Sequence, residues 1–145
     1  MYDMHGETVC YDTENNRLML LDQTLLPNTT RVLALTKKED MVYAIQTLQV
    51  RGAPAIGVAA AIGMAVLAAK SQETDVQKFL QERAADAVDL SRARPTAVNL
   101  SWAVAQMQAC VAAHKDGSIA QIQKAMQEKA LQVLNFHSRT FFLLL

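Results

Sequence analysis

Residues 54–69 read PAIGVAAAIGMAVLAA, sixteen consecutive positions without a charge or a hydrogen-bonding side chain. A bilayer span needs about 20 apolar residues. This run is shorter, and its wealth of alanine and glycine suits a helix buried on all sides by protein. Small residues recur on two stripes, Ala55, Ala59 and Gly63 on one, Gly57, Ala61, Ala65 and Ala69 on the next. Such stripes let neighbouring helices approach to about 8 Å, the near end of the usual spacing. Glycine in a helix interior costs up to about 1 kcal/mol relative to alanine. Close packing against Gly57 and Gly63 is therefore expected.

Before this segment the chain reads as strand and turn. Val9-Cys10-Tyr11-Asp12, the turn-rich Thr13-Glu14-Asn15-Asn16, and Arg17-Leu18-Met19-Leu20-Leu21-Asp22 predict a hairpin. Pro27-Asn28 breaks the chain, and Arg31-Val32-Leu33-Ala34-Leu35-Thr36 resumes an extended run. The pattern predicts a three-stranded antiparallel sheet.

From Thr36 the period becomes helical. Thr36-Lys37-Lys38-Glu39, Thr74-Asp75-Val76-Gln77 and Ser118-Ile119-Ala120-Gln121 each have the form of a capping box. The apolar faces that follow are Met41, Val42, Ile45 and Leu48; then Val76, Phe79, Leu80, Arg83 and Ala87; then Ile119, Ile122, Met126 and Val133. A further helix over residues 96–114 carries two apolar stripes, one with Val98, Trp102, Ala105 and Ala109, the other with Leu100, Val104, Met107 and Val111. Broad burial is expected for it. The fold class is α+β, a small antiparallel sheet followed by a bundle of about five helices.

Composition agrees with one globular unit. The chain has 145 residues, 51% hydrophobic and 19% charged, with fourteen basic and fourteen acidic residues. Zero net charge argues against general nucleic-acid binding and leaves a local anion site open. Cys10 and Cys110 are too few and too far apart for a disulfide scaffold or a zinc motif, and suit a reducing cytoplasm. His5, His114 and His137 have no second ligand at helical spacing, so no metal is assigned. The N-terminus lacks the basic and apolar regions of a secretory signal.

Two segments invite an anion. In Arg51-Gly52-Ala53-Pro54 the proline suits a first helical position, where backbone N–H groups stay free and the helix dipole is positive. Glycine there admits close approach to the backbone. In Arg94-Pro95-Thr96-Ala97 a second arginine and proline precede a second apolar helix. Arginine matches the oxygens of phosphate with a planar fork of donors. A surface arginine before a proline-initiated helix is the plainer alternative. No set of residues supplies a complete reaction. Cys10 lies in a strand, Cys110 lies among alanines in a helix, and Asp12 and Asp22 at strand ends are expected to be solvated.

Leu21-Asp22-Gln23-Thr24-Leu25-Leu26-Pro27, Val50-Arg51-Gly52-Ala53-Pro54-Ala55-Ile56-Gly57-Val58-Ala59-Ala60-Ala61 and Arg94-Pro95-Thr96-Ala97-Val98-Asn99-Leu100 with Trp102 resemble, in order and interval, the N-terminal domain of the S-methyl-5-thioribose-1-phosphate isomerase family. The resemblance covers residues 1–135. It implies an aldose–ketose isomerase of methionine salvage, acting on 5-methylthioribose 1-phosphate without cofactor, cytoplasmic and homodimeric. It also implies substrate contacts at Arg51, Gly52, Ala53 and Arg94. No nucleic-acid or membrane partner is implied. The wider superfamily includes regulatory subunits of the exchange factor of translation initiation, so a non-catalytic binding module is the alternative.

The resemblance also implies a Rossmann-like C-terminal domain bearing a catalytic cysteine and aspartate. Neither role maps onto Cys10, Cys110 or any other residue of this sequence. Residues 136–145 depart from the family pattern as a hydrophobic tail, for which a frameshifted or prematurely ended reading frame is the expectation. A chain inactive alone follows, with an exposed tail at residues 141–145.

Overall fold

The computed structural model describes residues 2–144, and the side chains of residues 2–137. Strands β1 (Val9–Asp12), β2 (Arg17–Leu21) and β3 (Val32–Leu35) form an antiparallel sheet in that order. Helices α1 (Lys38–Gln46), α2 (Ala53–Lys70), α3 (Val76–Arg92), α4 (Val98–Ala113) and α5 (Ile119–Leu144) follow. A 3₁₀ turn, Gln23–Leu25, lies between β2 and β3.

Helix α2 is the axis of the molecule. Every residue from 55 to 68 is buried, because α4 and α5 flank it, α1 and α3 add further contacts, and the sheet covers the remaining side. Among the described residues it is the one helix long and apolar enough to cross a membrane, yet its surface is consumed by the protein's own core. The sheet offers Val9, Tyr11, Leu18, Leu20 and Leu35 to that core. Their register, Val9 opposite Leu20 and Leu18 opposite both Tyr11 and Leu35, puts them on one face by the twofold alternation of strands.

Both helical glycines are explained by neighbours. A Cβ at Gly57 would stand 2.7 Å from the Asn99 carbonyl oxygen, so α2 and α4 touch backbone to backbone there. At Gly63 the neighbour is the Met41 sulfur of α1, at 3.0 Å.

Several expectations need correction. Only Ser118 and Gln121 form a reciprocal capping box: the Gln121 N–H donates to Ser118 Oγ at 3.1 Å and the Ser118 N–H to Gln121 Oε1 at 2.8 Å. At α3 the cap is Asp75, not Thr74, and its carboxylate takes the Gln77 and Lys78 N–H groups. At α1 the N-cap is Lys37 and no side chain caps it. Helix α4 is not buried broadly. Leu100, Ala103, Val104 and Met107 face the core, while Val98 (79% exposed), Trp102 (47%), Ala105 and Ala109 face outward. One face of α4 suffices to meet α2, α3 and α5. Leu48 does not extend the face of α1, because the helix stops at Gln46 and Leu48 turns away with φ +64°.

Asp12 and Asp22 are buried rather than solvated. Asp12 accepts from Arg17 Nε at 3.0 Å and Nη2 at 2.7 Å, which closes the hairpin. Arg83 of α3 is also buried. Its Nε donates to Asp86 at 2.9 Å, Asp86 pairs in turn with Lys38 of α1 at 3.1 Å, and the guanidinium lies 4.5 Å from the centre of the Phe79 ring. Helix α5 runs through residues 136–144, and the side chains of the tail at residues 141–145 lie outside the described residues.

Candidate functional site

Of the positions picked from the sequence, Arg51, Gly52 and Ala53 fall at the start of α2, and Arg94 lies on the loop that leads into α4. Gly52 is the N-cap of α2, with φ +88°, a left-handed backbone that favours glycine. Nothing lies within 4 Å of where its Cβ would be, so the ground above this turn is open. Pro54 is the second residue of the helix, not the first. The first helical hydrogen bond runs from the Ile56 N–H to the Gly52 carbonyl at 3.0 Å. Ala53 and Ala55 therefore keep N–H groups without an intrahelical partner, and Pro54 has none to offer.

Helix α4 begins in the same way. Its first bond runs from the Ser101 N–H to the Ala97 carbonyl at 3.1 Å, which leaves the N–H groups of Val98, Asn99 and Leu100 without helical partners. Neither α2 nor α4 has a side-chain cap, and neither has an acidic residue in its first turn. The two positive dipole ends are thus not neutralised locally. The Gly57–Asn99 contact fixes them side by side, one turn inside α2 and at the second residue of α4.

Arg51 is exposed and Arg94 is half-buried on the loop between α3 and α4. Among the described residues, neither makes an ion pair or a side-chain hydrogen bond. Two uncapped helix starts, preceded in the chain by Arg51 and Arg94, offer the kind of donors that can hold a dianion such as a phosphate monoester.

Asp22 and Gln49 bear on the same turn, and sequence reasoning missed their role. Asp22 is 2% exposed, and its Oδ1 accepts from the Thr24 N–H at 3.0 Å and from Thr24 Oγ1 at 2.6 Å. Its Oδ2 accepts from Gln49 Nε2 at 3.3 Å, while the Gln23 N–H donates to the Gln49 carbonyl at 2.9 Å. The first motif is thereby laced to the second. An aspartate two residues before a threonine signals such a turn in the sequence, but nothing in the sequence marks Gln49 as its partner.

The thiols are poor candidates for chemistry. Burial pushes both Cys10 and Cys110 upward from the ordinary cysteine range, with acidic neighbours adding to the rise at Cys10. Both therefore remain thiols at neutral pH, and the thiolate is the nucleophile. His114 Nδ1 is 2.8 Å from the Cys110 carbonyl oxygen, a helix-end contact rather than a thiol–imidazole pair. Among the described residues, no three of His, Cys, Asp and Glu come together to hold a metal.

A fold of this kind, a small sheet followed by a five-helix bundle, is shared with a known group of proteins. Residues 49–140 match the initiation factor 2 subunit family, and the chain belongs to it. It is similar to the methylthioribose-1-phosphate isomerase of Symbiobacterium thermophilum, with 44% identity over 124 residues, 86% of this chain and 34% of that protein. Among solved structures it is similar to 5-methylthioribose 1-phosphate isomerase from Pyrococcus horikoshii OT3 (TM-score 0.83, 34% identity, 87% of this chain and 35% of that one). It is also similar to translation initiation factor eIF-2B subunit delta from A. fulgidus (TM-score 0.79, 30% identity, 87% of this chain and 36% of that one). The chain spans about a third of the length of the curated relatives it matches.

Proposed function

We propose that this chain is the substrate-cradling portion of an aldose–ketose isomerase. The reaction converts 5-methylthioribose 1-phosphate into 5-methylthioribulose 1-phosphate in methionine salvage, in the cytoplasm. Arg51, the backbone of Gly52 and Ala53, and Arg94 hold the phosphate. One observation carries this reading: two uncapped, acid-free helix starts meet at the Gly57–Asn99 contact, with Arg51 directly before one and Arg94 on the loop leading into the other, neither paired among the described residues. Similarity to methylthioribose-1-phosphate isomerases supports this choice of sugar.

The isomerisation is an internal redox change, in which C1 is reduced as C2 is oxidised, so its balance calls for no outside oxidant. The described residues bind and orient. None is placed to move the proton or hydride, and the two thiols stay protonated. The chain alone is therefore a binder without turnover, and its sugar phosphate is shared with groups supplied from elsewhere in a complete enzyme.

Titration calorimetry with 5-methylthioribose 1-phosphate tests this. Saturable binding is expected, weakened about tenfold or more by Arg51→Ala or Arg94→Ala, since a charge-assisted contact contributes about 1.5–3 kcal/mol. Equal binding by all three chains removes the cradle, and turnover by the purified chain removes the division of labour.

The likeness to eIF-2B subunit delta favours a second reading, a non-catalytic module that binds a protein partner. Under that reading Arg51→Ala and Arg94→Ala leave the partner bound, and sugar phosphate does not compete for it.

A further inference from the structure

We propose that Asp22 and Gln49 are positioning residues, which set the backbone of the Arg51 turn and through it the affinity for phosphate; this rests on the cradle described above. Gln49 is pinned through its N–H, its carbonyl and its side chain. The Gln49 N–H donates to the Ala44 carbonyl at 3.0 Å, its carbonyl accepts from Gln23, and its side chain donates to the buried Asp22 carboxylate. Val50 is sunk in the core at 1% exposure. On the other side, α2 is locked from Ala55 onward by burial. Only Arg51 to Pro54 lie exposed between these anchors, with Gly52 in a left-handed turn.

A short segment clamped at both ends has little freedom, so its N–H groups point one way before any ligand arrives. Preorganisation of this kind strengthens binding by removing an ordering cost. Asp22 is the element of the clamp that a structural role alone explains poorly. A carboxylate 2% exposed, satisfied by three neutral donors and no cation among the described residues, is a costly way to close a loop. Its Oδ2 is directed at the residue two places before Arg51. Asp22 touches no ligand under this arrangement and acts only through Gln49.

The test uses the full chain and inorganic phosphate, followed by calorimetry and by the amide NMR signals of Gly52 and Ala53. Gln49→Met keeps the volume and deletes the donor. Gln49→Glu sets a second carboxylate against Asp22. Both are expected to weaken phosphate binding about fivefold or more at 25 °C and to shift the two amide signals in the ligand-free protein. In the Asp22→Asn/Gln49→Glu double variant the amide at 22 can donate to the carboxylate at 49, and binding is expected to recover. A merely structural pair lowers the melting temperature and leaves affinity unmoved, which overturns the proposal. Failure of the double variant to recover also overturns it. Phosphate that does not bind the unsubstituted chain overturns the cradle itself, a result distinct from either.

Discussion

Gly57 and Gly63 occupy one helix and face different neighbours, and the difference decides what each tolerates. An added methyl at position 57 meets a backbone carbonyl, which cannot move without carrying α4 with it. Gly57→Ala is expected to destabilise the chain by about 1–3 kcal/mol, despite the gain in helix propensity. At 63 the same methyl meets the end of a flexible thioether. Gly63→Ala is expected to stay within about 1 kcal/mol of the unsubstituted chain, and urea denaturation of the two variants compares them directly. Spacing alone marked both as packing sites; it could not tell carbonyl from sulfur. The same limit applies at Arg83, which reads as one more member of an apolar face and proves to be a buried charge paired with Asp86. Removing one partner from a buried pair costs about 3–5 kcal/mol. Asp86→Ala is expected near the lower end, because the Glu82 carboxylate, 3.5 Å from Arg83 Nη2, stays beside the guanidinium.

At the scale of the element, helix starts were legible to within a residue or two, but the capping residue was not always the expected one. Thr74 and Asp75 are both good caps, and the aspartate wins at α3 by taking two N–H groups at once. Asp75→Ala is expected to cost about 1 kcal/mol and Thr74→Ala almost nothing; thermal melts of the pair check the assignment. The hairpin was legible in full, from alternation and the Asn15-Asn16 turn. Its electrostatic lock was not, because exposure cannot be read from a lone strand-end aspartate. The Arg17 guanidinium beside Asp12 holds that carboxyl below the ordinary aspartate value of 3.8, helped by Asn15. A carboxyl depressed on folding contributes stability above its unfolded value and loses it as pH falls through the folded one. The contribution of Asp12 is therefore present above about pH 4 and fades below that. Asp12→Asn is expected to flatten this acid limb in denaturation curves recorded from pH 5 to pH 2.

For the whole molecule, the uncharged run at residues 54–69 was enough to foresee a helix buried all round, and the sheet and remaining helices arranged themselves about it as patterning required. What patterning overstated was the burial of α4. Two apolar stripes imply two covered faces only if neighbours exist for both, and the described structure supplies a neighbour for one. Periodicity records which side chains are apolar, not how many surfaces a domain of this length can place against them. The two helix starts of the candidate site were legible for a complementary reason. Helix starts are local features, and two residues of backbone chemistry suffice to recognise them. Their meeting is not local, since it rests on the missing side chain at Gly57.

The outward face of α4 has a further use. Trp102 is the sole tryptophan of the chain, about half exposed, and it lies one turn from the end of α4 that begins at Val98. The Cα–Cβ bond of a helical residue tilts toward the helix N-terminus, which sets Trp102 facing that end. The molecule thus carries a built-in optical reporter near the start of α4. A change in its emission on adding phosphate, read without any label, is the outcome the proposed cradle predicts.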